Sequence, residues 1–280
     1  MRVFVTGATG HIGSAVVREL ISARHEVVGL TRSDNGAAAL KEAGAEVQHG
    51  ALDDLDSLQS GAAAADGVIH LAFKHDFSNF AGSLASDLRA VEAIGAVLEG
   101  SKKPFITTAH ANGKASDDVV IALADRGVRA SVASLPPTVH GRGDKGFVPM
   151  LINIARDKGF SAYIGDGSNR WPAVHRLDAA HLYRLALEKA PAGSRLYGRG
   201  EEGVPFRDIA SVIGKHLNVP VVGIPREEAD AHFGFLGAIA ALDIPDVMPG
   251  STAQTRELLG WEPVHPGLIE DLEQGHYFNS

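Results

Sequence analysis

Residues 3–17 read VFVTGATGHIGSAVV, an apolar run followed by Gly7, Gly10 and Gly13 and then by a helix-like segment. A glycine-rich turn between a strand and a helix is typical of a dinucleotide-binding loop. The first glycine permits a sharp turn, the second lets a pyrophosphate approach the backbone, and the third lets the helix pack closely on the strand. Free N–H groups at the helix N-terminus then face the phosphates. The stretch therefore predicts a dinucleotide site; the alternative is an ordinary strand–helix turn.

Short apolar runs alternate with alanine-rich helical segments along the first half of the chain. The runs begin at Arg2, Glu26, Ala45, Gly67, Pro104 and Val128. Continuous apolar strands separated by helices are typical of a parallel sheet that helices cover on both faces. The pattern predicts an α/β protein with a doubly wound parallel sheet, the Rossmann fold. Residues 135–146, LPPTVHGRGDKG, predict a loop because they are rich in proline and glycine.

The change of pattern after this loop predicts a second lobe. We assign residues 1–135 to a dinucleotide-binding domain, to which residues 171–198 return. Residues 136–170 and 199–280 are assigned to a smaller, mostly helical C-terminal lobe that binds substrate. From Val204 onward the sequence predicts helices with proline-rich connections.

The composition argues against several classes of protein. The chain has 280 residues, a formal net charge of −8 and no cysteine. An acidic balance is atypical of nucleic-acid-binding proteins, so we expect no nucleic-acid partner. No apolar stretch is long enough for a bilayer and no secretory leader is evident, so we expect a cytoplasmic protein without a membrane partner. No histidine pair has a recognised metal-binding spacing, so we expect no metal.

The end of the second predicted strand bears on the choice of cofactor. It reads GLTRSDN (29–35), with Thr31 where NAD sites usually place a carboxylate on the ribose 2′-hydroxyl, and Arg32 next. A guanidinium can grip a 2′-phosphate with several donors. The sequence therefore favours NADP(H), while the nearby Asp34 keeps NAD(H) open. The alternative is that Arg32 is a solvated surface charge.

Several motifs occur in the order typical of one superfamily. They are TGATGHIG (6–13), DGVIHLAF (66–73), LPPTVHGRGD (135–144), RWPAVHRLDAAHLYRLALE (170–188) and TRELLGWEPVHPGLIEDL (255–272). Together they resemble the short-chain dehydrogenase/reductase superfamily, and within it the NAD-dependent epimerase/dehydratase-like branch. The resemblance covers nearly the whole chain and implies a dinucleotide-dependent oxidoreductase or epimerase.

The resemblance also implies which residues contact the cofactor. In the glycine-rich loop these are Gly7, Thr9, Gly10, His11, Ile12 and Gly13. Further contacts implied by the family pattern are Arg32 near the adenosine ribose, Leu52 beside the adenine, Leu71, Ala72 and Phe73 after the fourth strand, and Pro136 on the nicotinamide side. The family usually has an aspartate before the position of Leu52, where this chain has Ala51.

The catalytic positions depart from the family pattern. The family transfers hydride with a Tyr-x-x-x-Lys pair and an upstream Ser or Thr, yet no tyrosine of this sequence has a lysine four residues later. His110 and Lys114 have the spacing of the missing pair, with Thr108 upstream, and Asp87 stands near the place of a family asparagine. We expect Lys114 to matter more than His110, since its charge can act without a partner tyrosine. The alternative is that HANGK (110–114) is a turn with a solvated lysine.

Two further short stretches are candidates for the substrate site. Lys74, His75 and Asp76 follow the fourth strand and either line the substrate pocket or form an exposed loop. Arg170 matches an arginine that contacts substrate phosphate in sugar-nucleotide relatives, and Trp171 beside it either stacks on a ring or belongs to the core.

The sequence as a whole predicts an NADP(H)-dependent oxidoreductase or epimerase-like enzyme. Its partner is a small-molecule carbonyl or alcohol substrate, and a homodimer is compatible with the sequence. The alternative is a non-catalytic NAD(P)-binding sensor or regulatory protein that kept the fold and lost the catalytic tyrosine.

Overall fold

The computed structural model describes residues 1–248 and 250–279, which form two compact units. The first unit comprises Met1–Leu135, Ala179–Gly198 and Thr252–Glu262. The second contains the described residues of Pro136–Asp178, Arg199–Ser251 and Pro263–Ser280. Relative to the predicted domains, residues 171–178 lie in the second unit and residues 252–262 in the first. The first of these differences arises because residues 170–175 form a strand that pairs within the second unit.

The strands and helices alternate through the first half of the chain, as the sequence predicts. The strands are β1 (Arg2–Thr6), β2 (Glu26–Thr31), β3 (Glu46–His49), β4 (Gly67–His70), β5 (Pro104–Thr108), β6 (Arg129–Ser134), β7 (Thr138–His140), β8 (Ser161–Ile164), β9 (Arg170–His175), β10 (Ser194–Tyr197), β11 (Glu201–Pro205) and β12 (Val221–Ile224).

Helices connect most of these strands and make up much of the C-terminal region. They are α1 (His11–Ser22), α2 (Asp34–Glu42), α3 (Leu55–Ala64), α4 (Phe80–Leu98), α5 (Lys114–Ala122), α6 (Phe147–Lys158), α7 (Arg176–Lys189), α8 (Phe206–Leu217), α9 (Ala229–Phe233), α10 (Gly237–Ala240), α11 (Ile244–Val247), α12 (Thr252–Leu259) and α13 (Leu268–Glu273). Within the described ranges, no helix has both the length and the apolar character that a membrane crossing requires.

The first unit is built on a seven-stranded sheet in the order β10-β6-β5-β4-β1-β2-β3. All neighbouring strands are parallel, and Val5 of β1 pairs with Gly29 of β2 on one side and with Ile69 of β4 on the other. The prediction of an α/β fold with a doubly wound parallel sheet is confirmed. The strand order reverses between β1 and β4, and open α/β sheets bind ligands at the carboxyl ends of the strands beside such a reversal.

Charged side chains attach α7 to the first unit. Arg184 donates from Nε to Glu19 Oε1 of α1 at 2.7 Å, and His181 Nδ1 lies 2.9 Å from the same oxygen. Arg129 of β6 donates to the carbonyl oxygens of Leu187 and Ala190 at the end of the helix. The two Arg129 bonds satisfy carbonyl groups that a helix C-terminus leaves without intrahelical partners.

The second unit packs two small sheets and several helices around an aromatic core. Its sheets have the orders β11-β9-β7 and β12-β8. The buried Trp171 lies 4.9 Å from Phe206, measured between ring centroids, so Trp171 is a core residue.

Two predictions for this region are wrong. Within the predicted loop 135–146, residues 138–140 form β7, where Val139 pairs with Val174. The stretch from Val204 onward, where the sequence predicts helices with proline-rich connections, also contains β12 and the last two residues of β11. Strands this short carry little periodicity, and they are held by partners distant in the sequence.

Candidate functional site

The glycine-rich loop connects β1 to α1 and leaves no room for side chains at two of its glycines. Gly7 has a φ of +65°, and a Cβ there would lie 2.7 Å from the backbone nitrogen of Ala72. A Cβ on Gly13 would lie 2.0 Å from the carbonyl oxygen of Gly7. At Gly10, which is exposed and precedes α1 with no side-chain cap, the nearest protein atom would be 3.2 Å away. The loop thus leaves an open backbone surface at Gly10, beside the uncapped helix N-terminus, which suits a phosphate.

A buried hydroxyl joins this loop to the end of β4. Thr6 Oγ1 accepts hydrogen bonds from the backbone N–H groups of Leu71 and Ala72, both at 3.2 Å. The same oxygen lies 2.8 Å from Nδ1 of His70. Because a hydroxyl has one proton and two lone pairs, Thr6 donates to His70, and neutral His70 carries its proton on Nε2.

Asp87 of α4 lies between two imidazoles. Its Oδ1 atom is 3.4 Å from His70 Nε2 and 3.9 Å from His110 Nε2. Burial acts to raise the pKa of the Asp87 carboxyl, but the adjacent His70, the hydroxyl of Ser116 and His110 together outweigh it and hold the pKa below its ordinary value. Asp87 is therefore a buried carboxylate that can stabilise a positive charge on either ring.

His110 follows β5, and its side chain is 15% exposed. Its ring stacks on Phe73, with centroids 3.8 Å apart and planes 24° apart. Burial lowers the pKa of His110 to about 4, although Asp87 opposes the shift. The ring is consequently neutral at pH 7 and able to accept a proton.

Thr108 is positioned by a residue that the sequence pattern does not reveal. Its Oγ1 lies 2.7 Å from the hydroxyl of Tyr183 in α7. Tyr183 is fully buried, and burial raises the pKa of its phenol although the bond to Thr108 opposes the shift. The phenol thus stays protonated and orients Thr108.

The structure does not pair Lys114 with His110. Lys114 is the first residue of α5, and its Nζ pairs with Asp118 one turn later. Its side chain is 82% exposed. His110 and Lys114 thus contact different carboxylates, Asp87 and Asp118.

The region proposed for the adenosine ribose lies at the N-terminus of α2. Arg32 is exposed and has no ion pair within the described part of the chain. Ser33 caps α2 by accepting from Gly36 N–H at 3.2 Å, and a Cβ on Gly36 would lie 2.1 Å from Thr31 Oγ1. Thr31 is neutral and buried, and Asp34 lies in the first turn of α2, directly after the capping Ser33.

The remaining predicted residues lie in different surroundings. Thr9 is exposed, His11 and Ile12 are partly buried in the first turn of α1, and Leu52 belongs to the buried core of the first unit. Lys74 is paired with Asp53. Pro136 is buried at the start of the second unit, so its place beside a nicotinamide stays a prediction.

Arg170 is engaged by acidic residues of the second unit. Its guanidinium donates to both carboxylate oxygens of Asp243, with Nη2 at 2.8 Å, and Asp246 lies 3.7 Å away. A substrate phosphate at this position would have to displace Asp243.

Comparisons with known proteins agree with this architecture. The model of the NAD dependent epimerase/dehydratase family matches residues 3–97. An uncharacterized protein of Schizosaccharomyces pombe is 49% identical over 299 aligned residues, which cover 99% of this chain and 100% of that protein. The 2-alkyl-3-oxoalkanoate reductase of Stenotrophomonas maltophilia is 26% identical, with 86% of this chain and 82% of that protein covered.

A solved structure extends the comparison to the whole fold. The UDP-glucose 4-epimerase of Thermotoga maritima, solved with UDP-glucose, matches with a TM-score of 0.75 at 18% identity, covering 99% of this chain and 98% of that one. The chain belongs to the NAD-dependent epimerase/dehydratase family, whose members are NAD(P)-dependent oxidoreductases and epimerases.

Gly13 and Gly10 should respond differently to an added methyl group. Gly13→Ala forces a Cβ against a backbone carbonyl and should lower the free energy of unfolding by about 1–3 kcal/mol. In the matched control Gly10→Ala the added Cβ lies 3.2 Å from the same carbonyl oxygen, so the variant should lose less, about 0.5 kcal/mol, mainly because alanine is a poorer N-cap than glycine. Urea unfolding of the cofactor-free protein measures both, and equal stability of the two variants would contradict this packing.

Proposed function

We propose that this protein is an NADP(H)-dependent oxidoreductase that interconverts a small carbonyl compound and its alcohol. The observation that carries the proposal is the series of contacts Thr6–His70–Asp87–His110 at the carboxyl edge of the sheet. It joins the glycine-rich loop to an imidazole that is neutral at pH 7 and has a buried carboxylate nearby.

The fit of a dinucleotide rests on the loop itself. A side chain on Gly10 would occupy the open surface at the N-terminus of α1, where the pyrophosphate would bind. When bound, the nicotinamide group supplies or accepts the hydride. Arg32, together with the N-terminal end of α2, would hold the 2′-phosphate of NADP(H).

His110 supplies acid–base chemistry in this proposal. In alcohol oxidation its neutral ring would accept the hydroxyl proton of the substrate. Asp87 then stabilises the imidazolium that forms, as a buried carboxylate does for a catalytic histidine. In carbonyl reduction the imidazolium returns this proton to the carbonyl oxygen. Tyr183 and Thr108 remain uncharged in both directions, with Thr108 held by the buried phenol.

Aromatic side chains next to His110 favour an apolar substrate. The ring of Phe73 stacks on His110. Between ring centroids, Phe80 lies 5.8 Å from Phe73, and Phe77 lies 6.4 Å from Phe80. The engagement of Arg170 by Asp243 disfavours a nucleotide-diphosphate substrate. The relative named 2-alkyl-3-oxoalkanoate reductase supports a carbonyl compound with an alkyl portion.

The second candidate function is a non-catalytic NAD(P)-binding sensor. It is supported by the lack of a Tyr-x-x-x-Lys pair in the sequence. Cofactor binding alone is compatible with both functions, so only turnover distinguishes them.

Arg32→Ala should remove most of a preference for NADPH over NADH. A charge-assisted hydrogen bond of about 1.5–3 kcal/mol corresponds to roughly 10- to 150-fold selectivity. Calorimetric titration with both cofactors measures it, and Arg18→Ala, an exposed arginine on α1, is the control. Equal affinity of the wild type for NADPH and NADH would refute the preference.

His110→Ala should lower kcat/KM for alcohol oxidation by about 10²- to 10⁴-fold, the usual contribution of general acid–base catalysis, because the neutral ring is the proton acceptor in that direction. Lys114→Ala should stay within about twofold, since its ammonium lies on the surface beside Asp118. Reduction of NADP⁺ is followed with a panel of primary alcohols, alkyl carbinols and 3-hydroxy acids.

Two other outcomes of this assay count against the proposal. A larger loss in Lys114→Ala than in His110→Ala would return the leading role to the lysine. NADPH binding without turnover on any substrate would favour the sensor function.

A further inference from the structure

Three histidines of the second unit line one cavity that the proposed reaction does not use. His140 ends β7, His175 ends β9, and His265 lies between α12 and α13. The cavity has a volume of about 100 Å³ and is also lined by Asp178 and Glu201. Centroids of the His140 and His175 rings are 5.3 Å apart, and those of His175 and His265 are 4.8 Å apart.

Buried carboxylates determine which ring nitrogen carries the proton in two of these histidines. Asp271 accepts from Nδ1 of His140 at 2.9 Å, and Asp178 accepts from Nδ1 of His265 at 2.7 Å. An ionised carboxylate only accepts, so each Nδ1 carries the proton and each neutral ring keeps a lone pair on Nε2. Histidines that bind metals usually donate their other ring N–H to a carboxylate in this way.

The Nε2 atom of His140 supplies an independent indication of a ligand. The residue is 1% exposed and lines the cavity, and this atom has no hydrogen-bond partner among the residues that the structure describes. A buried polar atom without a partner is costly in a folded protein. A buried lone pair of this kind can be satisfied by a hydrogen-bond donor or by a metal ion.

The ring of His175 is the one of the three that a change of side-chain torsion would turn toward the cavity. The N–H of Leu177 donates to its Nδ1 at 3.3 Å, a weak contact. Its ring lies 14° from parallel with His265 and 75° from parallel with His140. Rotation about the Cβ–Cγ bond would direct a nitrogen of His175 toward the cavity at the cost of that contact, because this torsion has broad minima.

The spacing of the rings matches that of imidazoles on one small ion. With metal–nitrogen distances near 2.1 Å and tetrahedral angles, ring centroids lie roughly 5 Å apart. The measured separations are 5.3 and 4.8 Å. Ligand atoms of His175, Asp178 and His265 also lie within 4.8 Å of one another.

We propose that His140, His175 and His265 bind a divalent transition-metal ion, with Asp271 and Asp178 orienting two of the rings. Imidazole ligands select zinc and its neighbours over magnesium or calcium, which prefer oxygen. Glu201 is not a ligand in this arrangement, since its carboxylate accepts from the N–H of Leu268 at 2.7 Å. The absence of a recognised motif does not oppose the site, since the three histidines come from separate parts of the chain.

The test uses the full chain, freed of metal with a chelator and titrated with Co²⁺ and then with Zn²⁺. We expect one Co²⁺ per chain, visible absorption bands of a nitrogen-ligated ion, and displacement by Zn²⁺. Zn²⁺ should also raise the melting temperature, because an ion that binds only the folded state stabilises it.

His175→Gln should lower the affinity for Zn²⁺ at least about tenfold and abolish the rise in melting temperature. His49→Gln, an exposed histidine at the end of β3, is the matched control and should bind as the wild type does. A wild-type chain that binds no Co²⁺, or a folded His175→Gln variant with unchanged Zn²⁺ affinity, would overturn the proposal. A loss of equal size in His49→Gln would overturn it too.

Discussion

The hydroxyl of Thr6 is the constraint on which the first unit's candidate site depends. It is buried, and all of its hydrogen-bonding capacity is engaged by His70, Leu71 and Ala72. These bonds hold the end of β1 against the end of β4 and bring Gly7 next to the backbone of Ala72. Loss of the hydroxyl would leave buried polar groups unsatisfied, each at about 1–3 kcal/mol. The same bonds set the tautomer of His70 and thereby direct its Nε2 proton toward Asp87.

Asp87 lies between His70, which Thr6 orients, and His110, the proposed acid–base residue. Two histidines flank it, and only His110 is partly exposed. Burial of His110 disfavours its charged form more strongly than Asp87 favours it, which leaves a neutral ring at pH 7. If His110 is protonated, the nearby carboxylate of Asp87 stabilises the positive charge on its ring. In the proposed function His110 is the proton acceptor in place of the family's tyrosine–lysine pair, which is how we account for the departure in the sequence.

The fold of the first unit was predictable because its signals are local. The glycine-rich loop and the apolar runs lie within a few residues of one another, and both emerge from sequence periodicity. Strands β7, β11 and β12 were missed because each has only three to five residues, which pair with partners distant in the sequence. The spacing of His110 and Lys114 suggested a catalytic pair, but α5 begins at Lys114 and places Asp118 one turn away from it. Tyr183 and Thr108, which are 75 positions apart, meet only through the tertiary fold.

Burial and Asp87 together set the pKa of His110, and titration of its ring by NMR tests this most directly. In the wild-type protein we expect His110 to titrate near pH 4, well below the ordinary histidine value of about 6.5. In Asp87→Asn the pKa should fall further, because the negative charge that favours the imidazolium is removed. A wild-type pKa near 6.5, or one that is unchanged or raised by Asp87→Asn, would contradict the account.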